Sequence, residues 1–303
     1  MNGIISVLTQ NILPIFVVAF FGYCLHRFVG LDKRPLSTAV LYVLSPCLVF
    51  SSLVNSNLPS TELGQLALFA ILNITFMGII GLIAAFALRL SRPQVVALLI
   101  VVMFVNGGNY GLTLNNLRYG PEGLSRAIVY FTTSTIVTYT FGLWLASMGQ
   151  LSWRDAAKRL LRLPPVYAAV LAIVVYSTGF VVPAPLMRGI EVAGGGAIPV
   201  LLLVLGIQLG SLRETAVLRI AIPAVFIRLV IGPLVGVFTT NLIGLEGLGR
   251  STSIIEASTP TAVMTIVLAT EFDLQPELVT TVVILSSLFS PFTLASVITI
   301  LGI

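Results

Sequence analysis

Apolar residues run through this chain in long blocks separated by short polar joints, and within the blocks they do not alternate with polar ones. A membrane-crossing helix needs about 20 apolar residues, whereas a barrel strand needs about 10 with alternating polarity. Blocks such as 63–88 and 216–242 fit only the helix. The pattern predicts an all-α integral membrane protein with ten transmembrane helices, at 3–27, 35–55, 62–88, 93–119, 122–149, 164–181, 188–210, 216–242, 249–271 and 276–301.

Two of these blocks are interrupted. In the fourth, Asn106, Gly107, Gly108, Asn109, Tyr110 and Gly111 place two amides and three glycines at membrane depth; in the ninth, EASTPTAVMT runs from Glu256 to Thr265. The two lie at matching places. LSPCLVFSSLV (44–54) aligns with AIPVLLLVLGI (197–207), Pro46 over Pro199, and the same offset lays Asn106–Tyr110 over Thr259–Val263. Five spans per half force the second copy to enter from the opposite side. The expected organisation is an inverted repeat of residues 1–149 and 164–303, joined by a basic linker at 150–163. Paired interruptions in inverted halves point to a transporter's binding site near the midplane, with the interrupted helices 4 and 9 crossing.

Composition agrees. Hydrophobic residues make up 57% of the chain, charged residues 9%, and the mean hydropathy is +1.06; a soluble chain carries about 25% charged residues. Of 16 Lys and Arg, Arg228 is mid-span, eleven fall on the side where the first helix ends and four on the other. The positive-inside rule makes the first side cytoplasmic and puts both termini on the non-cytoplasmic side of the plasma (inner) membrane. The net charge of +5 is explained by these helix ends, so nucleic acid is not an expected partner; the lipid bilayer is. No Lys or Arg precedes the first apolar run, which reads as a retained helix. Cys24, Cys47 and the lone His26 make no disulfide or metal pattern. Without a Ser/His pair, paired intramembrane aspartates or an H-E-x-x-H motif, a membrane enzyme is not expected. An ion channel would differ from a carrier in showing unitary currents.

Unsatisfied backbone at membrane depth must be met by protein, water or ligand. The two breaks are therefore expected to pack together or line a wet cavity, with half-helix N-termini favouring an anion. Asn106, Asn109, Thr113, Thr259, Thr261 and Thr265 would supply neutral donors and acceptors, with Gly107, Gly111 and Pro260 opening the helices. Two charges lie deep, and intramembrane charge is a functional hypothesis by default. Arg228 has three possible partners: a substrate carboxylate, Glu256, or backbone carbonyls freed at the breaks. Glu256 either takes up Na+ or a proton as coupling ion, or is a fixed partner of Arg228. Asn73 is either a site residue or interhelical glue. No other cofactor is expected.

Four stretches in order, NGGNYGLTLNNLRYG (106–120), GGGAIPVLLLVLGIQL (194–209), IRLVIGP (227–233) and STPTAVMTIVLATEFDLQPELVTTVVILSS (258–287), resemble the auxin efflux carrier family. The resemblance implies a scaffold of helices 1, 2, 6 and 7 that forms a homodimer, and a transport domain of helices 3–5 and 8–10 that moves in an elevator-like way. It implies export or exchange of a small organic anion, such as auxin, malate or malonate. It places Ser134 and Tyr139 near the substrate, with the Pro46 region across from it. The chain departs from plant members, which have proline where Thr113 and Thr265 stand and an uncharged amide where Glu256 stands. A carboxylate there is reminiscent of sodium-coupled bile-acid-type symporters of the same architecture, which keeps a sodium symporter or cation/proton antiporter as the alternative.

Overall fold

A computed structural model describes residues 2–56, 58–147, 164–211 and 218–303. The linker at 150–163 lies outside the described residues, as do five of the basic residues counted above, Arg154, Lys158, Arg159, Arg162 and Arg213.

The described chain is helical, with α1 (Ile4–Val29), α2 (Lys33–Val54), α3 (Ser60–Ala87), α4 (Arg92–Met103), α5 (107–119), α6 (121–146), α7 (Pro164–Thr178), α8 (Ala184–Gly210), α9 (Leu218–Leu242), α10 (Gly247–Ser258), α11 (Met264–Glu271) and α12 (Pro276–Leu301). Counting 107–146 as one helix, seven of these are long and apolar enough to cross a membrane. The helices begin where local chemistry starts them. Ser91 and Gln94 form a capping box at α4, and proline occupies the first turns of α4, α8 and α12. The junction of α5 and α6 is set by Gly120, whose backbone (φ 64°, ψ −156°) a side chain would disfavour, followed by Pro121.

Two packing groups surround the interrupted segments. α1 lies along the second half of α8, and α2 packs on α7 and the first half of α8. The first of these contacts is backbone to backbone: a Cβ on Gly22 would meet the main chain of Leu203, and one on Gly206 that of Ala19. Small residues allow this approach, which dispersion rewards in lipid. α3, α4, α9, α11 and α12 enclose the largest apolar cluster, which includes Met77, Leu98, Val101, Ile227, Leu268 and Val282. A second cluster joins α2, α5, α6 and α7 through Leu48, Leu112, Leu124, Ile128 and Ala172. Large apolar side chains such as Phe86, Val181 and Ile300 stay exposed, as expected of surface that faces lipid.

Candidate functional site

The two interruptions meet each other. α4 ends at Met103, and Phe104 turns extended (φ −102°, ψ 119°); α10 ends at Ser258, and Thr259 turns extended (φ −67°, ψ 155°). Proline disfavours helical backbone in the residue before it, so Pro260 sets the second of these turns. The extended pieces lie antiparallel, with Val105 opposite Thr261. The Asn106 N–H donates to the Pro260 carbonyl at 2.8 Å, and the Ala262 N–H to the Phe104 carbonyl at 3.0 Å. The Thr261 N–H donates to Ser286 Oγ at 3.2 Å, and Thr261 Oγ1 donates to the Val101 carbonyl at 2.9 Å. Each break thus satisfies backbone groups of the other.

Arg228 holds the two ends together. It leaves a π-helical turn of α9 (Ile227–Ile231), is fully buried, and donates from Nη1 to the Val102 carbonyl at 2.7 Å and from Nη2 to the Ala257 carbonyl. Those carbonyls sit at the C-terminal, negative ends of α4 and α10, where a cation is favoured. A Cβ on Gly232, one turn along α9, would press on the guanidinium, which accounts for the spacing in IRLVIGP. Of the partners open to Arg228 within the chain, the geometry places it on the freed carbonyls. Glu256 is not its ion-pair partner; the salt bridge formed among the described residues is Arg126–Glu62, at 2.6 Å.

Glu256 lies against the first turn of α5. It is fully buried, Oε1 accepts from Asn115 Nδ2 at 3.2 Å, and Oε2 has no partner. A Cβ on Gly107 would stand 2.7 Å from Oε2, and one on Gly111 would overlap the whole carboxyl group. The glycines therefore make room for the carboxyl. Around it, Asn106 Nδ2, the Tyr130 hydroxyl, Arg228 Nε and both amide atoms of Asn73 are buried without hydrogen-bond partners. Asn73 lies beside the Tyr130 hydroxyl without meeting hydrogen-bond geometry. Buried polar atoms are ordinarily satisfied, so this concentration marks the crossover.

The other residues expected here are placed variously. The hydroxyls of Thr113, Thr259 and Thr265 donate to the carbonyls of Asn109, Glu256 and Ala262, so they satisfy backbone instead of facing a ligand as donors. Asn109 is half-buried, and Tyr110 turns into an apolar cluster with Phe16 of α1. Phe131 and Gly142 of α6 touch the break at Gly108 and Phe104. Ser134 falls on that same helical face, with Tyr139 on its flank. Pro46 and Pro199 lie on α2 and α8, outside this cluster. Asn115, Tyr130, Gly232 and Ser286 were not anticipated. Of these, Asn115 was findable, because 107, 111 and 115 form one i, i+4 stripe.

A separate cavity of about 430 Å³ opens between α2, α6 and α8, lined by Ser51, Asn55, Glu122, Arg126 and Glu191 among others. Its Leu48 and Leu124 belong to the apolar cluster that contains Leu112, the residue that follows the glycine turn.

The chain is similar over nearly its full length to known proteins. A protein of Methanothermobacter thermautotrophicus described as an uncharacterized transporter is 28% identical over 93% of this chain and 94% of its own length. Another uncharacterized transporter, from Methanocaldococcus jannaschii, is 23% identical over 94% and 96%. The profile of the family described as "Membrane transport protein" matches residues 7–152 and 147–298. The chain belongs to this membrane transport family, that of the auxin efflux carriers.

Proposed function

We propose that this protein is a secondary transporter that carries a small organic anion across the plasma membrane by alternating access, coupled to a proton or a cation through Glu256. The observation that carries the reading is the crossover: two interrupted helices paired at Val105–Thr261, the first turn of α5 beside them, and unpartnered polar atoms in otherwise apolar surroundings. A helix N-terminus favours negative charge, and Asn106 Nδ2 offers a free donor there. In this reading the chain forms ten membrane spans in two inverted halves, with both termini on the non-cytoplasmic side. α1, α2, α7 and α8 act as the scaffold and dimer surface, and α3–α6 with α9–α12 act as the elevator-like moving body. The cavity between α2, α6 and α8 is the way in, with the Leu48–Leu112–Leu124 layer separating it from the crossover.

A second reading is a sodium-coupled symporter or cation/proton antiporter. The unpartnered oxygens near Glu256, those of Asn115, Asn73 and Tyr130, favour it, because Na+ is bound by oxygen ligands.

Flux of radiolabelled malonate, malate and indole-3-acetate into proteoliposomes tests the first reading. Asn106→Ala is expected to lower saturable uptake about tenfold, in line with about 1.5 kcal/mol for one hydrogen bond to a charged group. Uptake at the wild-type rate would remove Asn106 from the site. Uptake of none of the three carboxylates, together with sodium-dependent thermal stabilisation lost in Glu256→Gln, would favour the second reading.

A further inference from the structure

Glu256 and a transported carboxylate require the same place. The electropositive first turn of α5 already faces a carboxyl, and not even a methyl group fits between Glu256 and Gly107 or Gly111. The Oε2 atom and Asn106 Nδ2 are buried and unpartnered. Charge sets the same limit. Of the charged groups on the packed elements, Arg228 from α9 is held by the Val102 and Ala257 carbonyls, and the Glu62–Arg126 pair lies at the other end of α10, against Gly249. Tyr130 from α6 is the titratable neighbour. Among the described residues Glu256 forms no ion pair, so its charge is not offset by a contacting cation. A second, unbalanced charge in this hydrocarbon setting carries a penalty of several kcal/mol.

We propose that Glu256 and the substrate carboxylate occupy the first turn of α5 alternately, which makes the protein a symporter that moves one positive charge together with each substrate anion. This rests on the anion reading above. The site holds one negative charge on both legs of the cycle. On the loaded leg it belongs to the substrate, while Glu256 is neutralised by a proton or a monovalent cation and turned aside; on the return leg it belongs to Glu256. Entry of a monocarboxylate is then electroneutral, whereas a dianion brings a second negative charge to the loaded leg and is expected to bind more weakly.

The test is binding of acetate, indole-3-acetate, malonate and malate to purified wild-type protein and Glu256→Gln, by calorimetry, across pH 5–8 and at 0 or 100 mM sodium. Wild-type affinity is expected to weaken by up to tenfold per pH unit as pH rises, if the charge is a proton, or to strengthen with sodium at fixed pH, if it is a cation. In Glu256→Gln the affinity should be flat in both arms and at least tenfold tighter at pH 8 without sodium. Equal affinities with the same dependence in both proteins would overturn the alternation and leave the anion reading standing. Binding of no carboxylate to either would overturn the anion reading and this proposal with it. Should Glu256→Gln fail to purify, Glu256→Ala, which vacates the place without adding a group to α5, is expected to give the same flat and tighter high-pH binding; the wild-type dependence in that variant would count against the alternation.

Discussion

Arg228→Leu is expected to be the most damaging single change in the molecule. The leucine fills part of the volume but leaves the Val102 and Ala257 carbonyls, the buried ends of two half-helices, without donors. Removing one side of a buried charged network costs about 3–5 kcal/mol. On the scale of a domain of this size that is a fall in melting temperature on the order of 10 °C. Detergent-solubilised protein followed by thermal size-exclusion chromatography measures it. Arg228→Lys should recover only part of the loss, because one ammonium cannot reproduce the planar fork that reaches both carbonyls. A variant as stable as wild type would mean that water meets these carbonyls without help, and that Arg228 is held for a ligand instead.

Gly111→Ala is the second. A methyl there overlaps both oxygens and the carbon of the Glu256 carboxyl, a group fixed by Asn115 on a helix with no free space beside it. Overpacking of this kind costs about 1–3 kcal/mol, and relief is available only by expelling the carboxyl from the first turn of α5. Transport should fall more than tenfold while the protein still folds. Gly64→Ala serves as the control. It lies on α3 with nothing within 4 Å of the added Cβ, and should leave flux unchanged. Comparable flux in the two variants would show that Glu256 does not need its seat against α5.

The helices and the two breaks were legible in the sequence for a simple reason. In a chain that is 57% hydrophobic, a run such as NGGNYG stands out against every neighbour. That the breaks belong together followed from the common offset of Pro46–Pro199 and Asn106–Thr259. What each side chain touches was not legible. Arg228 had three possible partners because carbonyl acceptors exist at every residue and leave no mark on the sequence. Thr113, Thr259 and Thr265 were expected as neutral donors and acceptors for a ligand; what the sequence did not show is that each hydroxyl donates to a carbonyl three or four residues back. The fit of Glu256 to Gly107 and Gly111 joins residues about 150 positions apart and depends on how α10 is rotated against α5. The residues at 150–163, expected as a basic linker, fall outside the described structure.

The pairing of Val105 with Thr261 also bears on how the protein is made. The two partners are 156 residues apart, so at about 5–20 residues per second the first break is synthesised roughly 8–30 seconds before the segment that completes it. Through that interval the N–H of Asn106 and the carbonyl of Phe104 have no native partner, and Arg228, which later fastens both ends, has yet to be translated. The first half is therefore expected to need shelter in the insertion machinery or at its wet edge until the second interruption arrives. Biogenesis of this transporter is then expected to turn on one long-range closure more than on the sequential release of finished hairpins into lipid.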